Sequence, residues 1–414
     1  MEKAPFTGYQ KLVIGLLAIT QFTVVLDFMV MSPLGDILMK TLNITPKQFG
    51  VAVSSYAFSA GIAGLLAAGF ADKYDRKKIL LFFYIGFILG TLFCGLAPNY
   101  HLLVAARIIT GLFGGVIGSI SMAIITDIFS IEQRGRVMGV VQMGFAASQV
   151  LGIPIGLYLA NLWGWHAPFL MIVGLSIAIT LVIVQSLQPV NKHLELKTER
   201  NVFAHFKHVL LTPNYQVAFA ATALLSVGGF LMMPFGSAFS INNLHVTQEQ
   251  LPIIFMITGI FSIIIMPIIG RLSDKIDKFK LFTIGSIWAI VMIVIYTNLT
   301  PVPLWIILVL NVLLFAGIMS RMIPATSLMT AIPQMQDRGA FMSINSSLQQ
   351  IAGGIASVLA GLIIVQKDKF SPLENYPILG YISVVVMLLC IWLVYRVSRM
   401  VKATTPQKTV TEVV

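Results

Sequence analysis

Three ionisable side chains interrupt stretches of this 414-residue sequence that are otherwise almost wholly apolar: Asp27 in VVLDFMV, Arg107 in VAARIIT and Arg321 in IMSRMIP. A charge withdrawn from water needs a partner or a wet cavity. For an arginine at the centre of a membrane helix the cost is about 2.5–3.5 kcal/mol on insertion scales. Other chemistry is poorly supplied. Cys94 and Cys390 have no metal-ligand spacing, and His101 and His166 fall at the edges of apolar runs. There is no phosphate-binding glycine loop and no nucleophile–base set. The sequence therefore predicts no enzyme, no catalytic residues, no metal and no cofactor.

The composition says what must hold those three residues. Apolar residues make up 57% of the chain and charged residues 10%, against about 25% charged in a soluble protein. Twelve apolar runs are legible, over 12–38, 50–71, 79–97, 101–126, 137–161, 166–187, 214–240, 251–270, 280–298, 304–331, 340–365 and 377–397. Each is long enough to cross a hydrocarbon core about 30 Å thick as a helix. None alternates with period two, so the expected class is an all-α membrane protein rather than a barrel. The first run is too long for a signal peptide and is read as a retained span.

Orientation follows from the basic residues. With both termini cytoplasmic, the outer loops keep Lys40, Lys47, Lys367 and Lys369, and the spans keep Arg107 and Arg321, leaving 21 of the 27 Lys and Arg on the inner side. The net charge of +11 thus belongs to topology and to anionic inner-leaflet lipid. Basic residues spread over seven segments, with no aromatic-interleaved patch, predict no nucleic-acid partner.

The two halves repeat. SPLG at 32–35 and LNITPKQF at 42–49 return as MPFG at 233–236 and LHVTQEQL at 244–251. ADKYDRKK at 71–78 returns as SDKIDKFK at 273–280, and EQRGRVMG at 132–139 as QDRGAFMS at 336–343. The offset of 201–204 residues implies two six-helix bundles in parallel, an arrangement that places a transport site between halves near mid-membrane. The expected divisions are a bundle over 1–187, a cytoplasmic linker over 188–213, a second bundle over 214–400 and a tail over 401–414.

On these residues the sequence resembles the major facilitator superfamily, and within it the twelve-helix drug:proton antiporters and the arabinose-efflux-like permeases, over roughly 10–400. The segment AGFADKYDRKK resembles the signature loop G-x-L-A-D-R-x-G-R-K, with Asp72, Arg76 and Lys77 on matching positions and Ala68 and Asp75 in place of its two glycines. The second copy keeps Gly270 and Asp274 but has Asp277 at the second glycine. The resemblance implies that Asp72, Arg76 and Lys77 latch the cytoplasmic side, with Asp127 as partner carboxylate. It also implies that Arg107 serves proton coupling and that the first and fourth helices line one cavity, so that Asp27 and Arg107 approach. There desolvation would favour a neutral Asp27 carboxyl and the guanidinium an ionised one, the tension a reversible proton site requires.

The fifth span carries a small residue every four positions: Gly144, Ser148, Gly152, Gly156 and Ala160. With Pro154 it approximates the antiporter motif G-P-x-x-G-G, although Ile153 displaces the proline and Leu157 replaces the last glycine. Close helix packing alone also produces such a stripe. Tyr56, Gln142, Gln149, Asn311, Asn345, Gln349 and Gln350 are candidates for lining a substrate cavity. Arg321, aligned with Ser119 in the first half, either meets an anionic substrate group or snorkels to the inner surface, the simpler expectation.

The expected function is proton-coupled export of small amphipathic molecules or drugs by a monomer in a bacterial inner membrane. The partners are a small-molecule substrate, protons and the lipid bilayer. Sugar or organic-anion permeation by the same fold is the alternative, and a non-transporting receptor, which predicts no cavity and no flux, a more remote one.

Overall fold

The computed structural model describes residues 6–67, 73–191, 194 and 202–404. Among these described residues twelve helices are long and apolar enough to cross a membrane: α1 (Gly8–Val30), α2 (Pro46–Ala67), α3 (Arg76–Leu96), α4 (Tyr100–Ile128), α5 (Glu132–Trp163), α6 (Ala167–Ser186), α7 (Pro213–Asn242), α8 (Leu251–Lys275), α9 (Lys278–Thr297), α10 (Leu304–Thr330), α11 (Arg338–Ile363) and α12 (Tyr376–Ala403). Among the described residues the sole extended pairing is an isolated bridge, Val365 with Glu374, in the α11–α12 loop. Of the linker expected over 188–213, residues 192, 193 and 195–201 lie outside the described set, as does the tail from 405. The described part of the linker includes a helix, Val202–Leu211.

The first span departs most from expectation. It was placed over 12–38 but stops at Val30, because residues 31–34 turn around Pro33, which has no N–H to continue the ladder. The chain restarts as a short helix, Gly35–Leu42. The second half repeats the device, α7 passing through a 3₁₀ turn at Met233–Phe235 around Pro234 before Gly236–Asn242. In α5, the five residues before the helix resumes at Ile153–Trp163 form a π turn, Ser148–Gly152. Pro154 cannot donate to the carbonyl four residues back, and the wider turn accommodates the gap.

The two aspartates that replace loop glycines have a structural reason. Asp75 caps α3, its carboxylate accepting from the backbone N–H of Lys77 at 2.7 Å and of Lys78 at 3.3 Å. Asp277 caps α9 through the N–H of Lys280 at 3.0 Å. Each satisfies a donor the first helical turn leaves open. Lys402 lies 2.7 Å from Asp277, and that hydrogen bond holds the Asp277 carboxyl below its ordinary range.

The packing repeats as the sequence does. In the first bundle α1 packs on α5 and α6, α2 on α4, and α3 on α4 and α6. In the second, α7 packs on α11 and α12, α8 on α10, and α9 on α10 and α12. The bundles meet along α2–α11 and α5–α8, the two interfaces that a pseudo-twofold axis between the repeats exchanges.

Within the first bundle α4 lies against α2 at Gly115. A Cβ there would stand 2.5 Å from the Ala60 Cα and 2.6 Å from its carbonyl oxygen, both backbone atoms that cannot swing aside. Gly115→Leu is therefore expected to destabilise the bundle by roughly 1–3 kcal/mol or more. Gly174→Leu, where nothing lies within 4 Å, should leave the thermal midpoint of the purified protein unchanged.

Candidate functional site

Asp27, three residues before the end of α1, and Arg107, in the outer third of α4, are both fully buried. The Arg107 Nη1 donates to Asp27 Oδ2 at 2.7 Å and to the Asp27 carbonyl at 3.3 Å. Thr91 on α3 donates to the other carboxylate oxygen at 3.1 Å. The carboxylate is thus held at both oxygens, whereas the guanidinium keeps Nε and Nη2 without hydrogen-bond partners. Its charge is met instead by the Tyr56 ring, 4.6 Å away, a cation–π contact of appreciable strength when dry. The juxtaposition expected from the resemblance is present.

The pair is connected to the boundary between the bundles. Tyr56 packs on Phe28 at 5.2 Å, and Phe28 packs on Phe230 of α7 at 5.8 Å. Phe230 in turn fills the space beside Gly353 of α11, where a Cβ would come within 3.0 Å of the ring. A contiguous aromatic path therefore runs from the buried charges into the second half.

The small-residue stripe of α5 lies against the helix that carries Asp27. A Cβ on Gly144 would meet the Ala18 carbonyl at 2.7 Å, one on Gly152 the Leu26 side chain at 2.6 Å, and one on Gly156 the Val30 side chain at 3.3 Å. The Ser148 hydroxyl donates to the Phe22 carbonyl at 2.9 Å. On the opposite side of the π turn, Val150 closes on Gly259 of α8. The turn at Pro154 thus sits between α1 and the second bundle.

At the end opposite the chain termini the two bundles are joined. Equivalent repeat segments touch across the axis: the Ser32 hydroxyl donates to the Met233 carbonyl, and the Ser237 hydroxyl donates to the Ser32 carbonyl at 2.8 Å. Phe49 meets Phe235 edge to face. Asp36, 1% exposed, accepts from Asn242 Nδ2 and Gln248 Nε2 of the second half, both at 2.7 Å, and from Lys40 at 2.9 Å. Asn161 adds a bond to the Gln248 carbonyl at 2.9 Å. Reading the sequence missed Asp36, which fell inside the over-long first span. One signal was available, since Asp36 stands where the second copy has Ser237, directly after the matched SPLG and MPFG segments.

At the end of the bundle that carries the N-terminus, Arg76 Nε lies 3.2 Å from Asp127 Oδ2, linking the start of α3 to the end of α4. Lys77 donates to the Val184 carbonyl at 2.9 Å. Asp72 lies outside the described residues. In the second copy Asp274 is exposed and Gly270 has open space beside it.

The remaining candidates divide. Gln142 is exposed, while Gln149 and Gln349 are half-buried, and Gln149, in the π turn, has an unpartnered Oε1. Asn345 accepts from the Thr222 hydroxyl at 2.7 Å, bridging α11 to α7. Asn311, at the same depth in α10 as Arg107 in α4, donates to the Ile307 carbonyl at 2.9 Å. Tyr56 is buried against Arg107 rather than lining open space. Arg321 does not snorkel: it is 2% exposed, stands 5.9 Å from the Phe282 ring of α9 and has Gly228 of α7 beside it.

Two repeated six-helix bundles joined along paired interfaces make this a membrane transporter fold. The sequence model of the Major Facilitator Superfamily matches residues 17–357, and the chain belongs to that superfamily. It is 27% identical over 266 residues to the uncharacterized MFS-type transporter YceJ of Bacillus subtilis, covering 64% of this chain and 68% of that protein. It is 24% identical over 301 residues to Multidrug resistance protein 2 of the same organism, covering 70% and 75%. In structure it is similar to a bacterial homologue of the human lysosomal transporter Spinster, solved inward-facing and unoccupied. The TM-score is 0.77 and the identity 16%, over 96% of this chain and 99% of that one.

The Asp36 cluster yields a direct prediction. Asp36→Ala removes the acceptor shared by Asn242 and Gln248, and hydrogen bonds to a charged group contribute about 1.5–3 kcal/mol each. In a background lacking Cys94 and Cys390, a cysteine at the buried Ala238 position is expected to react at least tenfold faster with a membrane-impermeant maleimide when Asp36 is removed. An unchanged rate would show that the cluster does not hold the outer side shut.

Proposed function

We propose that this chain is a proton-coupled exporter of small amphipathic molecules, working by alternating access in a bacterial inner membrane with both termini cytoplasmic and as a monomer. The observation that carries the reading is the sealed Asp27–Arg107 pair and its aromatic path to Phe230. A carboxyl inside the membrane that touches a guanidinium, a hydroxyl and nothing wet has two accessible states, and each makes a different bond to Arg107. Ionised, it forms a short ion-paired bond; protonated, it offers the guanidinium only a neutral carbonyl oxygen, and the attraction between opposite charges is lost. Loss of that bond frees Arg107 and the Tyr56 ring beneath it. Because Phe28 lies between Tyr56 and Phe230, movement there changes the fit between the bundles.

The gates assigned to this cycle are on opposite sides. Asp36, with Asn242 and Gln248, closes the outer side. Arg76 and Asp127, with Lys77 and Asp72, are assigned to the latch of the inner side, and the polar side chains of Gln142, Gln149, Asn345 and Gln349 to the passage. The stripe at Gly152, Pro154 and Gly156 is assigned the bending of α5 against α1. Similarity to Multidrug resistance protein 2 supports export of drug-like molecules.

The energetics permit coupling. One proton falling through 100 mV supplies about 2.3 kcal/mol, enough to sustain a substrate gradient of about 50-fold. In proteoliposomes with an imposed proton gradient, wild-type protein is expected to accumulate a transported dye towards that ratio. Asp27→Asn, which keeps the shape and an oxygen for Arg107 but cannot exchange a proton, is expected to bring the ratio to about one while retaining downhill exchange. Gradient-driven accumulation by the asparagine variant would refute the assignment.

A further inference from the structure

The membrane-embedded charges do not cancel. Away from the span ends there are three: Asp27, Arg107 and Arg321. The first two neutralise each other at 2.7 Å, which leaves the charge of Arg321. The spans α7 to α12 contain a single carboxylate, Asp274, which is exposed near the inner end of α8. Arginine cannot shed its proton inside a protein, so Arg321 is a fixed cation in the second bundle with no counter-charge among the described residues. Its Nε and Nη2 have no hydrogen-bond partner although the side chain is 2% exposed. The nearby Cys390 thiol donates to the Ala221 carbonyl at 3.8 Å, and its sulfur, a weak acceptor, also faces the guanidinium, a contact that falls short of a counter-charge.

The surroundings leave room for a small group. Gly228 of α7 has no side chain, and the position a Cβ would take lies 3.6 Å from Arg321 Nη1, 3.7 Å from Met387 Cγ and 3.7 Å from Val386 Cγ1. A methyl group there would be in ordinary van der Waals contact with all three, so the glycine leaves that side of the guanidinium uncovered. Gly228 also falls at the repeat position of Asp27. Where the first bundle presents a tethered carboxylate to an arginine, the second presents an arginine to a vacant glycine face.

We propose that Arg321 and Gly228 form an anion site within the second bundle, which takes one monovalent anion: a halide, or the carboxylate of a transported molecule. Only the second source rests on the transport reading given above. An anion supplies what Asp27 supplies in the first bundle, and a guanidinium with free donors is suited to either. If the carboxylate of cargo is the occupant, the transporter handles amphipathic monoanions and not cations, since its one mid-membrane carboxylate is already engaged by Arg107.

The test needs neither flux nor a gradient. The thermal midpoint of the detergent-purified full chain is measured at constant ionic strength in sulfate, chloride, bromide and benzoate, with wild type and Arg321→Gln in each salt so that general salt effects cancel. Wild type is expected to gain roughly 2–5 °C over the variant's response in the salt whose anion binds. A gain in chloride and bromide identifies a halide site, and a gain confined to benzoate identifies a carboxylate site. Gly228→Ala, whose methyl group covers that face and leaves the charge, should abolish the gain. Gly228→Asp, which supplies a tethered carboxylate, should raise the midpoint without added anion and remove the response. Equal responses of wild type and Arg321→Gln in every salt would overturn the proposal and leave proton coupling at Asp27 untouched. Should Arg321→Gln fail to fold, wild type against Gly228→Ala decides in the same way.

Discussion

A carboxylate and a guanidinium held 2.7 Å apart inside a bilayer-spanning bundle constrain nearly everything around them. Each alone would be costly to bury, and removing one partner of such a pair typically costs about 3–5 kcal/mol. The surrounding packing serves to keep them together. Thr91 reaches across from α3 to the second carboxylate oxygen, Tyr56 covers the guanidinium from α2, and the glycines of α5 let α1 lie close enough to bring Asp27 to depth. Five helices converge on one buried ion pair. The two unmatched nitrogens of Arg107 keep the pair short of full satisfaction, which suits an interaction that must change in a working cycle.

The duplication sets the geometry of the bundles, and the departures from symmetry fall where the charges are. The two bundles share a packing scheme helix for helix and meet along α2–α11 and α5–α8. Within that frame the halves differ where chemistry is concentrated. Asp27 faces Arg107 where Gly228 faces Arg321, and Arg107 stands at the depth of Asn311. Asp36 reaches from the first half to two amides of the second, while its own repeat counterpart, Ser237, donates back to Ser32. A symmetric scaffold thus carries an asymmetric set of charges, with titration assigned to one bundle and a fixed cation to the other.

Much of this was legible before any coordinates, for identifiable reasons. Span count, bundle class and the repeat follow from long apolar runs and matched loop segments, which depend on local composition. Asp27 and Arg107 were conspicuous because a charge in a run of Val, Ile and Leu has no ordinary use. Thr91, Phe28 and Phe230 were not, since a threonine or phenylalanine in an apolar helix has many uses and only three-dimensional proximity selects one. Pro33 hid Asp36: with the first span extended to 38, that carboxylate read as part of a helix rather than as a contact between halves. Asp75 and Asp277 looked like departures from a motif, and the caps they form at α3 and α9 explain them as local solutions for starting a helix. For Arg321 general grounds favour snorkelling to the inner surface over contact with an anionic group; the side chain is instead buried, with Nη1 beside Gly228 of α7.

The claim on which the rest depends is that the Asp27 carboxyl gains and loses a proton while buried beside Arg107. Infrared difference spectroscopy of the protein in lipid, across a pH step and with substrate added, observes that group directly through the carbonyl stretch of a neutral carboxylic acid. The account predicts a band of this kind that changes with both pH and substrate and disappears in Asp27→Asn. A spectrum without such a band across the pH range in which transport proceeds, or a band that persists in the asparagine variant, would contradict it.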